Sequence, residues 1–439
     1  MVTIPSTFAS SETILKPSLS AMPAEILIEI AGWVAKEGFI LDETRSELQY
    51  TTNSGELRRY RPWGCYGHII KPKETYNKFA RYRKTSILSL SLTCARLSQA
   101  CEVVLYRNPI VYDNNGRHLY EFLNNITREE CKHLQRYVAH LSVICGLGGT
   151  EWESTPAIYH TLGSGTLQLP ALRSLYIVDE KWEDRISPWY KLLPMLPALE
   201  ELTLKGFYEV DRGFPMLPRV KSACFYDCRP TRSTSALRGL LEKLPSLRQF
   251  ANFWSFSRIE PGAFEPVRDT LESLAWRKSS RYIDDTISGP CITYLRRLRH
   301  LKACMIDQRF LDDVWAFPLW GGKALAGMES LETVEVFGPG YGLYIELANR
   351  SQLFMALRNI LATFASAKSE GWLKSLRVVD LRSLEGWRFD AAEWRMMRTE
   401  FINDAMKEYK KLEIELLLPE MAGVAWDKTG RGGEGRKKH

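Results

Sequence analysis

One short pattern governs what this chain can fold into. At Leu172, Leu175 and Ile177 three apolar residues stand in the spacing L-x-x-L-x-L, just behind a Leu-Pro pair, Leu169-Pro170. The arrangement returns at Leu199-Leu202-Leu204, Val220-Ala223-Phe225 and Leu247-Phe250, behind Leu196-Pro197, Leu217-Pro218 and Leu244-Pro245. Without the proline it recurs at Val138-Leu141-Val143, Leu271-Leu274-Trp276, Leu301-Cys304-Ile306, Leu331-Val334-Val336 and Leu376-Val379-Leu381. First positions fall at 138, 172, 199, 220, 247, 271, 301, 331 and 376, so most steps are 21–34 residues.

Alternation within each core puts two or three side chains on one side of a short strand. Helical signals lie between the cores: Ser187-Pro188, Ser235 to Leu244, and Gln352 to Phe364. Asp390-Ala-Ala-Glu393 has the form of a capping box opening a helix to about Tyr409. A final alternating run, Leu412 to Leu418, closes the series. Strands alternating with helices predict an α/β fold with parallel strands. No single copy can bury its apolar side alone, so neighbouring copies must stack into one continuous core. Length alone suggests about three domains; the repetition reduces residues 130–420 to one array.

Composition adds bounds. Hydrophobic residues make up 45% and charged residues 25%, which excludes collagenous, coiled-coil and wholly disordered chains. Nine cysteines stand singly and read as free thiols of a reducing compartment. No apolar run approaches the roughly 18–20 residues of a membrane span, Met1 to Ser20 lack the cationic start of a secretory signal, and residues 1–19 read as a disordered N-terminus. The expected location is cytoplasmic or nuclear, with no membrane partner.

Ahead of the array, residues 22–34 read as a short helix. Pro23 suits the first position and Glu25 the positive end of the dipole. Ile26, Ile30 and Trp33 form its apolar stripe, flanked by Leu27 and Val34. A second helix is predicted over Thr85 to Tyr106, with the stripe Leu90, Cys94, Leu97, Cys101 and Val104, and Asn108-Pro109 ends it.

These residues carry a resemblance. Met22-Pro23, then Glu25-Ile26-Leu27, then Leu88 to Leu97 with Ser91, Leu92, Thr93, Cys94 and Arg96, then Leu105-Tyr106-Arg107, is similar to the F-box. That likeness implies docking onto the adaptor Skp1, and through it onto cullin and RING subunits of a ubiquitin ligase. It makes Met22, Pro23, Ile26, Leu27, Ile30, Leu88 and Leu92 the candidate adaptor contacts. The downstream array resembles leucine-rich repeats, and the two together resemble F-box/leucine-rich-repeat proteins of the irregular sort found in filamentous fungi. The implied architecture is an F-box helical unit at 20–110 followed by an irregular repeat solenoid over 130–420. The target protein would lie on the concave strand face. The repeat family's asparagine position, three residues past each core, holds Cys228 in one copy and Glu180, Phe207, Ser255, Ser279, Arg309, Pro339 or Leu384 in others.

One departure concerns charge. The chain carries a net charge of +7. Between Glu56 and Lys84 nine basic residues oppose only Glu56 and Glu74, so this window alone accounts for +7. It also holds Tyr60, Trp63, Tyr66, Tyr76, Phe79 and Tyr82, and lies in an insert, 35–84, that separates the two F-box helices. Basic residues interleaved with aromatics suit a phosphate backbone with stacked bases, and they equally suit a solvated loop. A nucleic-acid-associated role therefore stands as one alternative, and a repeat scaffold without ligase function as another. The Gly-rich tail over 421–439, with Arg436, Lys437 and Lys438, reads as disordered and basic.

Catalytic chemistry has little to build on. Cys131, His133, His140 and Cys145 lack the paired short spacings of structural zinc. Gly146-Leu147-Gly148-Gly149 lacks the rest of a dinucleotide fingerprint, and P-loop, nucleophile-elbow and His-Glu-x-x-His patterns do not occur. The expectation is a non-catalytic protein without metal or cofactor, which works by holding other proteins.

Overall fold

The computed structural model describes residues 22–43, 88–113, 117–145, 160–161, 167–179, 189–207, 209–231, 235–253, 262–277, 303–307, 328–337, 350–381 and 395–418, with isolated positions between them. The chain divides into two compact units, Met1–Pro109 and Ile110–His439.

The first unit contains α1 (Ala24–Glu43) and α2 (Ala95–Arg107). The Pro23 carbonyl accepts the Leu27 N–H at 3.2 Å and starts α1. This helix continues past residue 34 into the insert; the basic window 56–84 lies outside the described residues. Two corrections to the helix expectations arise here. The face of α1 packed against α2 is Leu27 and Ala31, both buried, rather than the stripe led by Ile26. And the helix expected over 85–106 is broken. A helical turn at 88–91 ends at Leu92, and α2 begins only at Ala95. Short hydroxyl side chains compete for backbone carbonyls: Ser91 Oγ donates to Leu88 O at 2.7 Å and Thr93 Oγ1 to Leu90 O at 2.8 Å. Cys94 then takes extended backbone, φ −162° and ψ 160°.

In the second unit the chain runs through β1 (Ile110–Asp113), α3 (Arg117–Thr127), β2 (His140–Cys145), β3 (Ser174–Asp179), α4 (Trp189–Leu192), β4 (Glu201–Lys205), β5 (Ser222–Tyr226), α5 (Ala236–Leu241) and β6 (Gln249–Phe253). It continues through β7 (Ser273–Arg277), β8 (Ala303–Asp307), β9 (Thr333–Phe337), α6 (Arg350–Ser369), β10 (Val378–Asp380), α7 (Asn403–Lys411) and β11 (Glu415–Leu417). The strands form one sheet in chain order, and each is parallel to the next. The fold is α/β with a parallel sheet.

All nine repeated cores supply strands, and register keeps equivalent residues side by side. Leu141, Leu175, Leu202, Ala223, Phe250, Leu274, Cys304, Val334 and Val379 form one row. The first positions, from Val138 to Leu376, are all buried. The Leu-Pro-x-Leu signature has a physical meaning: it is a tight turn with proline at its second position, where a fixed φ is favourable. Leu172 N–H reaches Leu169 O, Leu199 reaches Leu196, Val220 reaches Leu217 and Leu247 reaches Leu244, at 3.1–3.3 Å. Each turn delivers the chain to a carbonyl of the preceding copy, which accepts two N–H groups at once. Arg173 and Ser174 share Ala139 O, Glu200 and Glu201 share Arg173 O, and Lys221 and Ser222 share Glu200 O. The same sharing recurs at Lys221 O, Arg248 O and Glu332 O.

A chain of rings fills the middle of this core. Phe214 meets Tyr190 at 5.5 Å and Phe225 at 6.1 Å, Phe225 meets Phe250 at 5.9 Å, and Phe264 and Trp276 continue it within 6.5 Å. Asn252 occupies a core position in β6 without penalty, because its amide closes the next turn. Nδ2 donates to Phe256 O at 2.9 Å, and Oδ1 accepts Phe256 N–H at 2.8 Å. Cys228 and Ser255 share a rung: Ser255 Oγ accepts Cys228 N–H at 2.9 Å, and the Cys228 thiol points at Leu204 O.

Further expectations are corrected in this unit. The sheet starts at Ile110, not near 130, because the four-residue β1, in which Val111 is buried, carries none of the repeat spacing. The helix expected to reach Tyr409 contains a π turn at Arg398–Ile402 before α7; residues 390–394, its expected start, lie outside the described residues. The last strand is Glu415–Leu417 rather than 412–418, since Leu412 and Glu413 belong to the turn that ends α7.

Candidate partner-binding site

The α1–α2 pair has a small core. Leu27 packs with Leu97 and Ala100, and Met22, Ile28, Leu90 and Cys94 close around them. Ala31 packs with Cys101 and Val104, under Ile28, Leu90 and Leu105. Burial and the neighbouring Cys94 push the Cys101 thiol above its ordinary pKa, so it stays a neutral core group.

The seven residues assigned by resemblance separate clearly around this core. Ile26, one step along α1 from buried Leu27, is 43% exposed. Leu88 is 44% exposed and Leu92 87%; the two are joined by a Leu92 N–H to Leu88 O bond of 3.3 Å. They are the three exposed large apolar side chains among the described residues of this unit. Pro23 is also exposed, and Met22 and Ile30 are half-buried. Leu27, at 1%, is buried and packs α1 onto α2. What sequence reasoning missed is the break at 92–94, which lifts Leu92 out of helical packing; the signal was Ser91 and Thr93 placed two residues apart ahead of Cys94.

In the second unit the strand face assigned to a target is closed at its centre. Residues alternate across a strand, and Cys224, Ala251 and Ala275, which point away from the core row, are buried as well. Burial pushes the Cys224 thiol well up and the Cys228 thiol up to about 12. Neither is a nucleophile at ordinary pH. Elsewhere on this face Glu201 is exposed, and Ser142, Ser174, Tyr176, Lys205, Ser222 and Gln249 are half-buried.

Of the metal-capable group, His133 places Nδ1 3.0 Å from Glu130 O and its ring edge-on to Tyr137. Among the described residues no cluster of His, Cys, Asp or Glu is arranged to hold a metal ion. Among them, too, no helix is long and apolar enough to cross a membrane. No family model and no curated protein matches this chain.

Proposed function

We propose that this protein is a non-catalytic substrate receptor of a Skp1-cullin-RING ubiquitin ligase, with an F-box-like first unit and a leucine-rich-repeat-like solenoid as the second. The observation that supports it is the placement of Ile26, Leu88 and Leu92. Three large aliphatic side chains stay in water around a core that Leu27, Leu97 and Cys101 already fill. Covering a Leu or Ile side chain fully is worth roughly 1.5–3 kcal/mol, so a hydrophobic groove has enough to gain here. Leaving them bare serves folding poorly.

Such a receptor needs no active site of its own. Held on Skp1 at one end and on a target at the other, it raises the effective concentration of target lysines near a charged ubiquitin-conjugating enzyme. The test is co-purification of the full chain with Skp1. Ile26→Asp combined with Leu92→Asp should abolish the association while the thermal transition of the chain stays in place. Failure of the unsubstituted chain to bind Skp1 would overturn the reading.

A further inference from the structure

The exposed large apolar residues described in the second unit are Met195, Met216, Met355, Met396 and Met406. All are methionine, whose flexible, polarisable side chain adapts to irregular partner surfaces. Two of them are related by the repeat. Pro194-Met195-Leu196-Pro197 and Pro215-Met216-Leu217-Pro218 are the same tetrapeptide in successive copies. In each, the leucine is buried and the methionine exposed, by 39% at Met195 and 52% at Met216. Met195 stands seven residues before Leu202 and Met216 seven before Ala223, which are register partners in β4 and β5. Arg219 ties the two copies together by donating to Pro197 O at 2.6 Å. The prolines fix the backbone on both sides of each thioether, so the pair is displayed on a rigid mount and loses little entropy on contact.

The surroundings are basic. Lys191 lies one turn ahead of Met195, Arg219 follows Met216, and Lys243 takes the equivalent position in the next copy; all three are exposed. Lys243 O accepts Leu217 N–H at 2.8 Å, which places that copy beside Met216. Four carboxylates close in sequence are engaged with other groups, Glu200 with Lys221, Glu209 with Arg212, Asp211 with Thr231 and Glu242 with Arg238, while Glu201 is exposed at the start of β4.

We propose that Met195 and Met216, rimmed by Lys191, Arg219 and Lys243, form a docking surface for an acidic amphipathic helical segment of a partner protein. Apolar anchors of that segment lie on the thioethers, and its carboxylates meet the three cations. The proposal rests on the receptor reading in so far as that segment belongs to the target, and it moves recognition from the closed strand face to this flank. The two readings fail separately, since neither assay uses the other's partner.

The probe is a fluorescein-labelled peptide with leucines at helical spacing and glutamates elsewhere, titrated with the full chain and read by anisotropy. Binding is expected for this peptide and not for versions with leucines replaced by serine or glutamates replaced by lysine. Met195→Gln with Met216→Gln, and separately Lys191→Glu with Lys243→Glu, should each weaken binding at least fivefold. Both pairs are exposed, and unchanged circular dichroism would establish that the variants are folded. No binding to the unsubstituted chain, or binding that survives either pair of substitutions, overturns the proposal. So does self-association abolished by the methionine pair in sedimentation, which would make a second copy the occupant.

Discussion

The first unit and the second handle apolar surface in opposite ways. In the second, equivalent residues of successive strands stack in register, the first positions of the cores from Val138 to Leu376 are buried, and the exposed large apolar side chains among the described residues are methionines. In the first, two helices share a thin core and leave Ile26, Leu88 and Leu92 bare. A repeated sheet completes itself by adding copies, each supplying the cover the previous one needs. Among the described residues of the first unit, the pair of helices supplies no such cover for these three side chains. The contrast separates residues that hold the fold from residues that meet partners, and substitutions should expose the difference.

The largest effect belongs to the ring chain. Trp276→Ala removes a buried ring that contacts Phe250 and Phe264. It should destabilise the second unit by about 3–5 kcal/mol, measured by denaturant unfolding. A loss below 1 kcal/mol would show that the stack is ornamental.

Next comes the pair that defines the first unit. Leu27→Ala should cost about 2–5 kcal/mol, whereas the adjacent Ile26→Ala should change stability by no more than about 0.5 kcal/mol. Urea melts followed by a probe within residues 22–107 give both values. Equal effects would mean that Ile26 is packed in solution and the division between the two residues is lost.

Alkaline pH gives a third measurement. Cys224, Cys228 and Tyr409 are buried and keep their protons in the folded chain well above their ordinary values. Above pH 9 the unfolded chain releases thiol protons that the native state retains, so stability falls as pH rises from about 9 toward 12. The slope is about 1.4 kcal/mol per pH unit for each such group. Cys228→Ala should make the decline shallower. An unchanged slope would remove Cys228 as a contributor.

The smallest effect separates two helix ends inside the second unit. Both α6 and α7 stop in a left-handed residue with the same pair of backbone bonds. After α6 this residue is Gly371, φ 78°, with Trp372 N–H on Ala367 O. After α7 it is Glu413, φ 57°, with Ile414 N–H on Tyr409 O. A side chain in that conformation costs roughly 1–2 kcal/mol, and Glu413→Gly should recover about 1 kcal/mol as a higher Tm. A lower Tm would mean that the Glu413 side chain stabilises that end.

Much of the second unit was legible because its signal is repeated. Nine cores in one spacing specify strand, direction and neighbours together, and a misreading of one copy is corrected by the next. β1 escaped because a strand of four residues carries no repeat spacing to count. The first unit was legible only as helices. Ile26-Ile30 and Leu27-Ala31 obey the same helical spacing, and hydrophobicity favours the first pair, while the packing against α2 buries the second. Leu92 was read as part of a continuous helix since its neighbours have helical periodicity. Two hydroxyl bonds to carbonyls, invisible to periodicity, decide otherwise.

The shared carbonyls at the start of six strands reach beyond stability. Because Ala139, Arg173, Glu200, Lys221, Arg248 and Glu332 each seat the next copy directly, alignment is inherited from strand to strand and owes nothing to the length of chain between them. Steps as unequal as 21 and 45 residues can therefore feed one sheet. Across the shortest step, from β4 to β5, and the longest, from β9 to β10, equivalent residues stay in register. A scaffold of this kind separates its grammar from its vocabulary: new recognition loops can be written between copies while the reading frame of the sheet stays intact.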